Sequence, residues 1–259
     1  MKTSPESTLA VVTGSTSGIG KAIARSLADK GLTVILNGRR DISEISEFMD
    51  ELRKSSGDKN ICHYVRGDVA DDITHMAIHE KIHQLGGELK VLVNNAGMST
   101  KDRKDVLELE RDDVTRLFDV NLTGPFMLTR LLSHELMNHE STSYIINISS
   151  LSAYTVSTNR ADYCISKAGL SMMTQVFASR LAGENVAVFE IRPGIIRTGM
   201  TEGVMGRYEQ LVDEGLLPIP RIGEPGDIAR TVMGIVEGYH PYATGSVLNV
   251  DGGFHIRRL

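Results

Sequence analysis

Seven short apolar runs rich in β-branched residues recur along the chain: LAVVT at 9–13, LTVIL at 32–36, ICHYV at 61–65, LKVLV at 89–93, YIINI at 144–148, VAVFEI at 186–191 and SVLNV at 246–250. Longer stretches with helical spacing of apolar residues separate them, as in KAIARSLADKG after the first run. A strand that is apolar on both sides and followed by an amphipathic helix belongs to a βαβ unit. The alternation predicts an α/β fold: a doubly wound, mostly parallel seven-stranded sheet with helices on both faces. No repeat or low-complexity tract interrupts it, so residues 1–259 are expected to form a single domain. The irregular regions expected are 97–109 and 194–223, the second rich in glycine, proline and methionine.

Composition narrows the function classes. The chain is 41% hydrophobic and 24% charged, with a net charge of −5. That balance gives no electrostatic footprint for nucleic acid, and Arg257-Arg258 is too short a basic run to supply one. No apolar run reaches the roughly 18 residues of a membrane span. The start, MKTSPESTLA, shows neither a secretory signal nor a transit peptide, so a cytoplasmic protein is expected. Cys62 and Cys164 are the only cysteines, too few for a disulfide framework and without ligand-like spacing. His75, His79 and His83 recur every four residues, but Ile78, Ile82 and Leu85 mark the apolar stripe of that helix and place the histidines on its other side. Three ligands spread over two turns seldom converge on one ion, and no acid or cysteine is expected to complete them, so no metal is expected.

The motifs fall at strand ends, where open α/β sheets bind ligands. TGSTSGIG at 13–20 joins the first strand to a helix. Gly14, Gly18 and Gly20 would allow a tight turn and close approach of a pyrophosphate to N–H groups at the helix start, or serve as a structural turn. After the second strand, Asn37-Gly38-Arg39-Arg40 stands where a carboxylate would hold a ribose 2′-hydroxyl. A guanidinium there favours a 2′-phosphate, hence NADP(H) over NAD(H), although both arginines would also suit a solvated turn before Asp41. Asp68 and Val69 could flank an adenine, and Asp68 or Asp71 could cap a helix. The asparagines of NNAG at 94–97 could tie neighbouring strands together. Asn121 lies inside a helical pattern just before Gly124 and Pro125, which suggests a kink, a water site or a turn between helices. Tyr163 and Lys167 share one helical face at i, i+4, placing a phenol beside an ammonium that would draw its pKa down toward an acid/base range. Ser150, at the end of the fifth strand, could orient a reacting oxygen there.

Taken in order, TGSTSGIG, Asp68-Val69, NNAG, Asn121, Ser150, Tyr163-x-x-x-Lys167, RPGIIRTGM at 192–200 and TGSVLNVDGG at 244–253 resemble the short-chain dehydrogenase/reductase family over residues 8–254. The resemblance implies a Rossmann-type fold and an NAD(P)(H)-dependent oxidoreductase moving hydride between nicotinamide and a carbonyl or secondary alcohol. It implies Tyr163 as general acid/base and Lys167 on the nicotinamide ribose, lowering the tyrosine's pKa. Ser150 would polarise the substrate oxygen, and Asn121 would hold a relay water. Cofactor contacts are implied at Gly14, Ser15, Ser17, Gly18, Ile19, Gly20, Arg39, Asp68, Val69, Asn95, Ala96, Gly97, Pro193, Gly194, Ile196 and Thr198. A substrate lid around 195–220 and a homotetramer or homodimer are also implied.

Within the family the chain looks most like 3-oxoacyl-acyl-carrier-protein reductases and the sugar or polyol dehydrogenases built like them. His139-Glu140-Ser141-Thr142-Ser143 and Gly183-Glu184-Asn185 lack the basic residues that usually dock an acidic carrier. Tyr154, Arg160, Arg197, Met200 and Met205 instead suggest a pocket for a small polar or anionic carbonyl compound, such as a sugar-derived keto acid. The alternative is a protein that binds dinucleotide as a sensor or scaffold without turnover.

Overall fold

The computed structural model describes residues 7–257 apart from 101 and 138; the stretch before Ser7, and Arg258 and Leu259, lie outside it. Its strands are β1 (Thr8–Val12), β2 (Thr33–Gly38), β3 (Cys62–Arg66), β4 (Glu88–Asn94), β5 (Ser143–Ile148), β6 (Val186–Pro193) and β7 (Val247–Val250). They form one sheet in the order β3-β2-β1-β4-β5-β6-β7, and every pair is parallel. Each sequence-expected strand is present within about two residues.

Alternation along the strands divides the core between two faces. Ala10, Val12, Val34 and Leu36 pack with α1 (Gly18–Asp29), α2 (Ser46–Ser56) and α8 (Pro225–Val236) through Ile23, Leu27, Phe48, Leu52, Ile228 and Val232. Leu9, Val11, Ile35 and Leu92 face the other way, onto α3 (Asp72–Leu85), α5 (Gly124–Leu136) and α6 (Ala161–Leu181) through Ile78, Leu128, Leu132, Leu170 and Phe177. The chain reverses winding direction between β1 and β4, and the crevice at their carboxyl ends is where such sheets bind ligands.

Three features depart from the sequence reading. Residues 194–223 contain α7 (Met205–Asp213), whose Val212 packs with Ile195, Leu217 and Ile222 in a small satellite core. Ile196 bridges to Gly223, so the segment closes on itself as a compact flap. His75 lies on the buried side of α3 beside Ile78, with its ring nitrogen Nε2 2.7 Å from the Val69 carbonyl. Third, the helical pattern around Asn121 is one helix run widened by a π turn over Asp119–Thr123, between α4 (Arg111–Phe118) and α5. Such widened turns recur at functional sites.

Candidate active site

A cleft of about 960 Å³ opens along the carboxyl ends of β1, β2, β4, β5 and β6. At one end lies the turn between β1 and α1. Gly14 has φ +61°, and a Cβ there would stand 2.8 Å from Ala96 Cα, so only glycine lets this turn close against the end of β4. Thr13 Oγ1 accepts the backbone N–H groups of Asn95 and Ala96, both at 3.0 Å, and Asn95 Nδ2 donates to the carbonyls of Thr13 and Gly14. Ser17 is the N-cap of α1 without a side-chain cap bond, and the first turn carries no acid. The positive end of that helix therefore faces the cleft unneutralised.

Gly14, Ser17, Gly18 and Ile19 line this end of the cleft, whereas Ser15 and Gly20 do not. Ser15 is fully buried; its Oγ bonds the Asn37 backbone and joins the turn to β2. Gly20 packs behind the wall, where a Cβ would lie 2.4 Å from both Asn95 Nδ2 and the Gly14 carbonyl oxygen. These two positions shape the loop from behind.

Arg39, Asp68 and Val69 line the next part of the cleft. Arg39 is largely exposed, its Nη1 3.8 Å from Asp68 Oδ2, while Arg40 donates to the Thr16 carbonyl. Asp68 accepts from Ala70 N at 3.1 Å and from Arg116 at 2.5 Å, and these donors with Arg39 hold its carboxyl below the ordinary range despite partial burial. Asp41 caps the following short helix through a capping box.

At the far end stand Ser150, Tyr163 and Lys167. Tyr163 and Lys167 lie one turn apart on α6, both buried, with the ammonium 5.7 Å from the ring centroid. Burial pushes the phenol above its ordinary range; a hydrogen bond with Ser150 and the charge of Arg160 oppose that shift. The Arg160 guanidinium lies 4.4 Å from the tyrosine ring centroid, nearer than the lysine. Sequence spacing had pointed to Lys167 as the neighbouring cation. Burial draws the Lys167 ammonium down to about 8, against an upward pull from Glu190. Its Nζ donates to the Ile148 carbonyl at 3.2 Å.

Asn121 stands behind this group, fully buried. Its Oδ1 accepts from Met98 N at 2.8 Å and its Nδ2 donates to Met98 O at 2.9 Å, so the side chain staples the loop after β4 to the π turn. A Cβ on Gly97 would lie 3.3 Å from Asn121 Oδ1 and 3.5 Å from Lys167 Nζ, so both side chains converge beneath that glycine. Asn94 bonds Asn147 across the β4–β5 pair at 2.8 Å, tying the strands together as the paired amides suggested. Pro193, Gly194, Ile196 and Thr198 line the wall toward the flap.

Glu190 was missed. Within VAVFEI it is wholly buried and accepts from Ser149, Ser171 and Arg192 at 2.5–2.7 Å. The signal available was an acid within an otherwise apolar strand, a position that requires partners. Of the residues suggested for the substrate pocket, Arg160 and Met200 line the cleft and Tyr154, Arg197 and Met205 do not. Tyr154 stacks under Arg192 and Arg197 pairs with Glu209 and Glu224. The segments 139–143 and 183–185 lie at the amino ends of β5 and β6, opposite the cleft. Their acidic character therefore says nothing about a carrier approaching this chain's own cleft.

The chain's relatives agree with this geometry. The family model described as enoyl-(acyl carrier protein) reductase matches residues 14–255. The 3-oxoacyl-[acyl-carrier-protein] reductase FabG of Aquifex aeolicus is 34% identical over 95% of this chain and 96% of its own. A 3-oxoacyl-[acyl-carrier protein] reductase from Brucella melitensis, solved in complex with NAD, superposes with a TM-score of 0.91 at 37% identity, covering 99% of this chain and all of the other. A putative 2-deoxy-d-gluconate 3-dehydrogenase from Agrobacterium tumefaciens, solved with bound NADP, superposes at 0.83 with 30% identity, covering 97% and 98%. With the all-parallel seven-stranded sheet and the cleft at its switch point, these similarities place the chain in the short-chain dehydrogenase/reductase family, as an NAD(P)-dependent oxidoreductase of carbonyl or secondary-alcohol groups.

Proposed function

We propose that Tyr163 is the proton donor and acceptor of this reaction, that Ser150 and Tyr163 hold the reacting oxygen, and that Lys167 orients the nucleotide. The observation that carries this reading is that Ser150, Tyr163 and the buried Lys167 line one end of the same cleft together. Two hydroxyls there can aim at one oxygen on which negative charge develops. The cleft fits a dinucleotide: Gly14 and Gly18 let the turn after β1 lie close against Ala96 and Thr198, and the α1 N-terminus offers uncompensated N–H groups to a diphosphate. A bound nicotinamide supplies hydride chemistry. The protein's part is to hold the carbonyl, shield it from water and deliver the proton. Because burial favours the protonated phenol, Tyr163 is set to give its proton in carbonyl reduction at neutral pH; alcohol oxidation, which needs the phenolate, should accelerate as pH rises.

We assign the cofactor preference to NADP(H). Arg39 offers an exposed guanidinium at the cleft edge, 3.8 Å from Asp68 Oδ2, and can receive a 2′-phosphate. Arg39→Ala should cost about 1.5–3 kcal/mol of NADPH affinity, roughly a tenfold or larger loss, and leave NADH nearly unchanged. Fluorescence titration of both nucleotides checks it. A wild type that binds NADH more tightly sinks the assignment.

For the substrate, the proposal is a small polar or anionic carbonyl compound. Arg160 Nε is buried without a hydrogen-bond partner, and the guanidinium lies over the Tyr163 ring at the cleft wall. A carboxylate or hydroxyl of the substrate would satisfy it. Arg160→Ala should raise KM for a keto acid by about tenfold or more, with a smaller effect on an uncharged ketone. Equal turnover of an acetoacetyl thioester in wild type and variant, with keto acids inert in both, restores the acyl-thioester reading.

We also infer a homotetramer. Phe126 on α5 and Ile165, Met172 and Val176 on α6 form an outward apolar surface on the helices that carry the site. Light scattering should give four chain masses; a monomer would refute it.

A further inference from the structure

We propose that His79, His83 and Glu135 form a surface site for one divalent transition-metal cation of the zinc type, remote from the cleft. His79 and His83 stand one turn apart on α3, and Glu135 reaches them from the last turn of α5. The three ligand atoms make a small triangle. His79 Nε2 is 3.1 Å from Glu135 Oε1, His83 Nε2 is 3.4 Å from the same oxygen, and the two ring nitrogens are 3.1 Å apart. One face of a tetrahedral site with bonds of about 2.0–2.1 Å has edges of about 3.3 Å. The side chains thus already stand near the spacing that a single ion requires.

Protons cannot satisfy this triangle. If both imidazoles carry a proton on Nε2, each can donate to Glu135, but the two N–H groups then face each other across 3.1 Å. If His83 Nε2 is bare, it accepts from His79, and then its lone pair faces the carboxylate oxygen. Every neutral tautomer leaves one edge repulsive, whereas a cation at the centre makes all three attractive. Among the described residues Glu135 pairs with no lysine or arginine, so no side-chain cation already neutralises it. Nearby Lys81 is engaged with Gln84. The Glu135 backbone is held separately, its carbonyl 2.7 Å from His139 Nε2.

Two imidazoles and one carboxylate suit zinc and its borderline neighbours, not calcium or magnesium, which prefer oxygen ligands throughout. His83 is more than half exposed, which leaves the outer position open to water. A bound ion would clamp α3 to α5, the helix that continues the π turn carrying Asn121. Its role is then structural support behind the cleft, with no contact to reacting groups.

The test uses the untagged full chain and zinc ion alone. Calorimetry should show one zinc per chain, and the thermal midpoint should rise on zinc addition. His83→Ala and Glu135→Gln should each weaken binding by roughly tenfold or more, since even groups that only support ligands are commonly worth that much. Both variants should keep wild-type NADPH affinity, which shows that the fold is intact. Absence of zinc binding by the wild type at millimolar ion, or equal binding by both variants, would overturn the proposal.

Discussion

Tyr163→Phe should lower turnover by roughly a thousandfold while leaving nucleotide affinity within about twofold of wild type. The ring is retained, and with it the packing against Arg160 at 4.4 Å and the burial of the position. What is lost is the transferable proton and one of two donors aimed at the reacting oxygen. General acid catalysis alone is worth about 10²–10⁴-fold, and one donor to a developing oxyanion is worth about 10²–10³-fold. The two losses overlap in a single hydroxyl and should not be multiplied. Stopped-flow rates with saturating nucleotide, beside equilibrium titration, measure both quantities. A variant that turns over at near wild-type rate removes Tyr163 from the chemistry.

Lys167→Met should abolish most activity and yet stabilise the nucleotide-free protein. Lys167 is buried, its Nζ donating to the Ile148 carbonyl, and burial draws its folded pKa to about 8 from the ordinary 10.5. Below about pH 8 the side chain is charged in both folded and unfolded chains, so the folded state carries the full cost of a buried ammonium. Between 8 and 10.5 the folded chain sheds the proton while the unfolded chain keeps it, and the cost fades as pH rises. The shift corresponds to about 3 kcal/mol, and the lost bond to Ile148 returns about 1 kcal/mol of it, leaving a gain of about 2 kcal/mol at neutral pH. For a chain of this size that is a rise of several degrees in Tm. The gain should shrink toward pH 10. Calorimetric scans of both proteins at pH 7 and pH 10 check the sign; a Tm lowered at pH 7 contradicts the burial argument. Such a residue is kept for function at the expense of stability.

The sheet was legible because each strand is a compact apolar run and each helix has its own spacing. The motifs at the carboxyl ends of β1, β4 and β5 were legible because the strand ends locate the cleft. What escaped the sequence depends on how distant elements pack. His75 was placed on the solvent side by a three-residue stripe; the buried face of α3 is wider and includes Thr74 as well. The acid facing His79 and His83 lies 56 positions beyond His79, on a helix brought beside α3 only when both pack on one face of the sheet. Glycine and methionine in 194–223 suggested an irregular segment, but α7 forms there because Val212 finds a satellite core.

The most direct test of the account is the initial rate at which the wild-type chain consumes NADPH or NADH with a keto acid, a keto sugar or an acetoacetyl thioester present, against a control without carbonyl. The account predicts consumption that requires the carbonyl, is faster with NADPH and is lost in Tyr163→Phe. Tight nucleotide binding with no carbonyl-dependent consumption from any class would contradict it and leave a binding protein in its place.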